Sequence, residues 1–334
     1  MAPAESLDYA GVTTGSGISG DFVHSRFVAA ALSAALLGLG HGAEAAPREL
    51  QACYDANDAQ DWDQAITLCG RAAQSGQLSD VDAARAYNDL GMAYNAKENY
   101  DQAIKSFDQA IKLRPDYSEA FYDRALTLDS KEAFAQAIAD YSKAIALHPD
   151  DATAHYNRGS DRLLTGQYTE AIYDFEQAAQ LNADYTELSS WNTGIAQYYL
   201  GRYPEAVTSI KRYLAVKPRF TYGGLWLYLA ESAAGRDAKP NIIARFGGED
   251  LGEWPGPIVS LYMGTATVDA VRAAAKQGDP DYLSDQACQA SFYIGAWTLI
   301  SGDKAGGLRD LNEAATTCPK SFFERGAAQV LLDR

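Results

Sequence analysis

Histidine is scarce in this 334-residue sequence, and none of the four is placed for chemistry. His24 and His41 fall in the leader, His148 stands in a loop before Pro149, and His155 takes a place that neighbouring copies of the same pattern fill with aromatics. There is accordingly no Ser/His/Asp arrangement and no H-E-x-x-H helix, and a glycine-rich phosphate loop is missing as well. Basic residues are few, 28 against 44 acidic ones, for a net charge of −16. Phosphate-backbone binding needs a basic stripe, so the balance argues against a nucleic-acid partner. The acidity reads as solvated faces, with a basic partner as the weaker alternative. The apolar run at 27–40 falls short of the roughly 20 residues a membrane-spanning helix needs. The four cysteines include no C-x-x-C pair, and no histidine lies at zinc-ligand spacing from them. Neither a cofactor nor a metal is expected, and catalysis is disfavoured.

What the chain does have is a repeat. Residues 84–117 carry Tyr87, Leu90, Gly91, Tyr94, Tyr100, Ala103, Phe107, Ala110 and Pro115. The next copy, 118–151, carries Phe121, Arg124, Ala125, Leu128, Phe134, Ala137, Tyr141, Ala144 and Pro149. A third, 152–185, carries His155, Arg158, Gly159, Arg162, Tyr168, Ala171, Phe175, Ala178 and Ala183. The pattern, aromatic-x2-L-G-x2-Y, then A-x3-F, then Pro, at a period of about 34 residues, resembles the tetratricopeptide repeat (TPR). Each copy predicts two helices with apolar residues at three- and four-residue spacing. Gly91 and Gly159 are expected to let the second helix approach closely, against Ala103 and Ala171. Large residues such as Phe107, Tyr141 and Phe175 then fill the wider part of the wedge. Pro115 and Pro149 stop the second helices. One copy cannot bury its own apolar face, so the resemblance implies an all-α stack: a right-handed superhelix of helical hairpins with a concave binding surface and a divergent helical C-terminal part.

The rest of the chain falls around these copies. Residues 1–45 read as a leader followed by a secretory signal peptide: a short basic start, the apolar run, and an A-x-A ending cut after Ala45. The leader ahead of the apolar run suggests a true start near Val23. Leu50-Gln51-Ala52-Cys53 has the look of a lipid-attachment box, but Glu44, Arg48 and Glu49 separate it from the apolar run, so a lipoprotein is disfavoured. Residues 46–83 read as a degenerate first hairpin and a linker, with Trp62, Ala65, Cys69 and Ala72 at the places of Tyr100, Ala103, Phe107 and Ala110. Cys53 then falls where Gly91 falls, opposite Cys69. Cys288 and Cys318 lie at the start and end of another predicted hairpin. Behind a signal peptide, two such pairs read as structural disulfides, 53–69 and 288–318.

A fourth copy, 187–220, carries Gly194, Gly201, Tyr203, Ala206 and Pro218. The pattern loosens over 221–287, where residues 225–230 read as a helix apolar on nearly all sides and so buried. It returns at 288–334 as a hairpin and a capping helix.

The C-terminal third resembles one TPR group in particular. L-W-L-Y-L at 225–229, W-P-G-P-I-V-x-L-Y-M-G at 254–264 and F-Y-I-G-x-W-x-L-x-x-G-D at 292–303 are similar to the NlpI-type proteins of the bacterial envelope. That resemblance implies a periplasmic adaptor that docks cell-wall hydrolases and an envelope protease. The chain departs from the group in lacking a convincing lipid-attachment box and in carrying two cysteine pairs.

The candidate partner-binding face lies on the first helices. Successive copies place Asn88, Tyr122, Tyr156 and Trp191 directly after the aromatic position. One turn on come Met92, Leu126, Ser160 and Ile195, then Tyr198 and Tyr199. Aromatic and apolar residues in a groove anchor a bound helix or extended peptide. For Tyr122 and Tyr156, partner contact and packing on the neighbouring helix both stay open; Trp191, Tyr198 and Tyr199 are read as groove residues. On that reading, replacing Trp191 and Tyr199 by alanine removes partner retention and leaves helical content intact. A C-terminal segment folded back over the groove is the competing arrangement. Asp89 and Asp123 on the same face would repel a carboxylate, which disfavours a clamp for a peptide C-terminus. Asp108, Asp140 and Asp174 recur on the second helices and read as a solvated face.

The expected function is a non-catalytic periplasmic or secreted scaffold, with no membrane anchor in the mature chain, that binds a protein or peptide. A carbohydrate-binding envelope module and a self-associating homodimer are the alternatives.

Overall fold

The computed structural model describes residues 45–334. The described residues are all α: seventeen helices, two short 3-10 turns and no strand. The leader and signal peptide expected up to residue 44 lie outside them. The chain packs as two compact units, one ending at Arg158 and one beginning at Gly159.

The first unit is built from hairpins: α1 (Ala45–Asp58) with α2 (Trp62–Gln74), α3 (Asp80–Ala96) with α4 (Tyr100–Leu113), and α5 (Ser118–Ser130) with α6 (Phe134–Leu147). It closes on the first part of α7 (Ala152–Leu164). The turn inside each hairpin needs one residue in the left-handed region. Here Gln60, Glu98 and Glu132 supply it, at φ of 56°, 58° and 54°. The adjoining helices start without proline, and Ser79 caps α3 by accepting from the Asp82 N–H.

Inside the hairpins the expected close approach is present, with a different partner. A Cβ added at Gly91 would stand 2.5 Å from the Phe107 ring, so the glycine makes room for Phe107 rather than for Ala103. Ala125 and Tyr141, both fully buried, take the same two places in the next hairpin. In the first hairpin those places hold Cys53 and Cys69, joined as a disulfide with Cα atoms 4.7 Å apart. The cross-link thus stands where the other hairpins put a small residue against a large one.

Between hairpins, the first helices are tied side by side. Asn88 donates to Asp123 at 2.7 Å, Thr127 donates to Asn95 at 3.1 Å, and Asn157 donates to the Tyr122 hydroxyl at 3.1 Å. The second helices carry charge pairs that overturn the solvated-face reading for Asp140 and Asp174, while Asp108 is exposed as expected. Asp140 is buried, accepting two bonds of 2.7 Å from Arg124, which also reaches the exposed Asp108. These carboxylates hold the guanidinium of the half-buried Arg124 above its ordinary pKa, with Asp140 the largest contributor.

The second unit repeats the logic with other residues. A Cβ at Gly159 would stand 2.9 Å from Phe175, and at Gly194 2.8 Å from Ile210. Asp174 is fully buried and accepts from Arg162 at 2.6 Å, so it too is a packing carboxylate. The elements are the rest of α7, α8 (Tyr168–Leu181), and the hairpin of α9 (Thr186–Tyr199) and α10 (Tyr203–Val216). Next comes α11 (Thr221–Ala233), buried over most of its surface as its composition predicts. The short helices α12 (Lys239–Phe246), α13 (Gly256–Met263) and α14 (Val268–Ala274) follow. The hairpin of α15 (Leu283–Ile300) and α16 (Lys304–Thr317) leads to α17 (Phe323–Leu332). The second expected disulfide, Cys288–Cys318, links α15 to the residue after α16.

Candidate functional site

The residues expected to form one binding face divide into two environments. In the first unit, Met92, Tyr122 and Leu126 are half-buried, while Asn88 and Tyr156 are buried. The Asn88 amide is engaged with Asp123, so it holds α3 to α5 rather than standing ready for a ligand. The Tyr122 ring lies 5.7 Å from that of Tyr141, and its hydroxyl accepts from Asn157. Tyr122 therefore braces the neighbouring helix while the residue stays half-buried. Met92, Tyr122 and Leu126 stand on α3 and α5, the two helices joined by the Asn88–Asp123 and Thr127–Asn95 bonds.

In the second unit the arrangement differs from the expected open groove. Trp191 and Ile195 are fully buried, Tyr198 is 2% exposed and Tyr199 5%. The Trp191 ring stands 5.2 Å from Phe220, 5.3 Å from Tyr213, 6.4 Å from Phe323 and 6.5 Å from Trp226. Tyr198 packs edge-on to Trp226 at 5.4 Å. The physical reason is the C-terminal helix. Tyr199 donates its hydroxyl to the Phe323 carbonyl at 2.6 Å, and Arg334 donates to the Tyr199 carbonyl at 3.0 Å and to the Tyr203 hydroxyl. Helix α17 lies over α9, and the aromatic surface that a sequence pattern assigns to a groove becomes the core under it.

Burial sets the electrostatics of this core. It pushes the Tyr198 hydroxyl up to about 12, and it drives Tyr199, Tyr262 and Tyr293 well above the ordinary tyrosine value. Tyr262 donates to the Tyr293 carbonyl at 2.9 Å, and Tyr293 to the buried Glu324 of α17 at 3.1 Å. Gln289 accepts from both Tyr222 and Trp254 at 2.7 Å. Glu231, 2% exposed, is held by Lys211 at 2.7 Å and by the Asn241 amide. These buried polar groups are bonded within the fold. None of them is arranged as an acid/base pair facing solvent, and among the described residues no group of acidic, histidine and cysteine side chains could hold a metal ion.

One feature went unread in the sequence. A cleft of about 310 Å³ opens between α8, α9 and α10, with Thr186, Ser189, Ser190, Thr193 and Gln197 along its α9 wall. Their three- and four-residue spacing gives α9 a hydroxyl- and amide-bearing stripe, and that polar periodicity is the signal that could have disclosed it.

The comparisons agree with this architecture. Residues 84–117 match the family model for the tetratricopeptide repeat, and residues 130–160 match a TPR repeat model. A solved TPR protein from Parabacteroides merdae superposes with a TM-score of 0.52 at 15% identity, covering 88% of this chain and 98% of that one. The C-terminal part of a TPR repeat-containing protein from Cytophaga hutchinsonii gives 0.49 at 18% identity, over 81% of this chain and 95% of that one. The MamA protein gives 0.46 at 22% identity, over 49% and 88%. Paired helices at the 34-residue period and two matched repeats show that this chain carries tetratricopeptide repeats within an all-α fold.

Proposed function

We propose that this chain is a non-catalytic interaction scaffold of the bacterial periplasm that holds a partner protein on the first-helix face of its N-terminal unit. One observation supports the compartment. Both cysteine pairs are disulfides, which persist in oxidising surroundings and are rare in the cytosol. Among the described residues no helix is long and apolar enough to cross a membrane. The division into a signal peptide, a first hairpin, four repeats, a divergent segment and a C-terminal hairpin with its cap belongs to the same proposal.

The observation that carries the binding site is the set Met92, Tyr122 and Leu126. They are the expected groove residues that keep part of their side chains open, on helices fixed to one another by buried hydrogen bonds. Partly exposed apolar and aromatic side chains on a rigid face are what a helix or extended peptide docks against. The resemblance to NlpI-type proteins points to cell-wall hydrolases or an envelope protease as the partners. Met92→Glu with Leu126→Glu tests the site, because both positions are half-buried and the charges meet an incoming apolar anchor. In capture from a periplasmic extract after crosslinking, the double variant should lose the polypeptide the wild type retains while its circular dichroism is unchanged. Equal retention by the two proteins would remove this face from the proposal.

A further inference from the structure

The cleft between α8, α9 and α10 has a directional chemistry. Ser190 donates its hydroxyl proton to the Thr186 carbonyl at 2.7 Å, Thr208 to the Pro204 carbonyl at 3.0 Å, and Ser209 to the Gln197 side-chain oxygen at 2.9 Å. With those protons committed inside the protein, the three oxygens present lone pairs to the cleft. The exposed carboxylates Glu176 and Glu205 line it. Ser189, 4% exposed, also lines it, and its oxygen is buried with no hydrogen-bond partner. Buried polar atoms are nearly always satisfied, so an orphaned hydroxyl in a cleft marks a place where a ligand atom completes the bonding. Arg212 is the single cation of the lining. The lining therefore sets two carboxylates and three hydroxyl oxygens with committed protons against one guanidinium, and is acidic on balance.

We propose that this cleft receives the cationic side chain of a partner polypeptide, an arginine or lysine inserted between Glu176 and Glu205 toward the Ser189 hydroxyl. A guanidinium or ammonium brings only donors, which suit the two carboxylates and the committed hydroxyl oxygens of the lining. The net charge of −16 favours encounter with a basic surface. The source of the cation rests on the scaffold reading, but the cleft can be tested without knowing the partner.

The probe is acetyl-arginine amide, titrated into the full mature chain and followed by amide NMR. Saturable shifts should centre on Ser189, Thr193 and Thr208. The neutral isostere acetyl-citrulline amide should bind about tenfold more weakly, the loss expected for one charge-assisted hydrogen bond. Glu176→Gln and Glu205→Gln, both exposed positions that do not threaten the fold, should each weaken arginine binding and leave the thermal midpoint unchanged. Absence of saturable shifts at those residues, or equal binding of citrulline, overturns the proposal. Spermidine binding tighter than the arginine probe would also overturn it, by making a free amine the ligand. The outcome is independent of whether the Met92/Leu126 face retains a partner, so failure of one reading does not mask failure of the other.

Discussion

Replacing Trp191 by alanine separates a groove anchor from a core residue. As an anchor, the indole would contribute to binding and little to stability. In the structure it is fully buried, with four aromatic neighbours between 5.2 and 6.5 Å from its ring. Truncating a tryptophan in such a site costs about 3–5 kcal/mol, the lost transfer free energy plus the cavity left behind. In a cooperative unit of this size, about 2–4 °C is lost per kcal/mol, so the thermal midpoint should fall by about 6–20 °C. Trp191→Phe is the informative companion. The indole N–H has no hydrogen-bond partner, and phenylalanine removes that unsatisfied donor, whose burial costs about 1–3 kcal/mol. It should therefore fall well short of the alanine loss despite its smaller ring. The assay is urea and thermal unfolding followed by far-ultraviolet circular dichroism, with partner retention measured below the transition. An alanine variant with an unchanged midpoint and abolished retention would refute the buried-core argument and restore the open groove.

Four further outcomes follow from the same contacts. Arg162→Ala removes a 2.6 Å partner of the fully buried Asp174 and should cost about 3 kcal/mol in urea unfolding, as breaking a buried ion pair does. Gly91→Ala forces a methyl to within 2.5 Å of the Phe107 ring and should cost about 1–3 kcal/mol by overpacking; the same unfolding assay reads it. Reducing Cys53–Cys69, which closes a loop of sequence separation 16, should cost about 3 kcal/mol, seen as a lower midpoint with reductant present. Raised tyrosine values give an alkaline limit. In the folded state, burial makes the hydroxyls of Tyr198, Tyr199, Tyr262 and Tyr293 hold their protons more tightly than in the unfolded chain. Their contribution is thus complete below the unfolded value near 10; that of Tyr198 is lost as the pH climbs through about 12, and that of the other three at higher pH. Tyrosinate absorbance should then rise together with loss of helicity, whereas early ionisation of these tyrosines in a folded chain would contradict their burial.

Much of the fold was legible because the repeat writes packing into spacing. Gly91 with Phe107 and Cys53 with Cys69 are each separated by 16 positions, so the first disulfide follows from aligning two copies. Where the reading failed, tertiary context had changed the meaning of a residue type. Trp191, Tyr198 and Tyr199 occupy repeat positions that face a groove in an open stack. No local pattern announces that Phe323 and Arg334 return to cover them, because the contact joins residues 124 and 135 positions apart. Asp140 and Asp174 look like exposed acids by periodicity. Their burial depends on Arg124 and Arg162, which stand at places where the repeat ordinarily carries apolar or aromatic residues. The cleft beside α9 was missed for the opposite reason, since attention to apolar periodicity passes over a polar stripe.

The most direct test of the scaffold reading is site-specific photocrosslinking. A benzophenone side chain at Leu126, on the proposed face, should crosslink a defined polypeptide in intact cells. The same group at the exposed Lys112 of α4 should capture none. Crosslinking to the same polypeptide from Lys112 and not from Leu126 would contradict the assignment of the binding face.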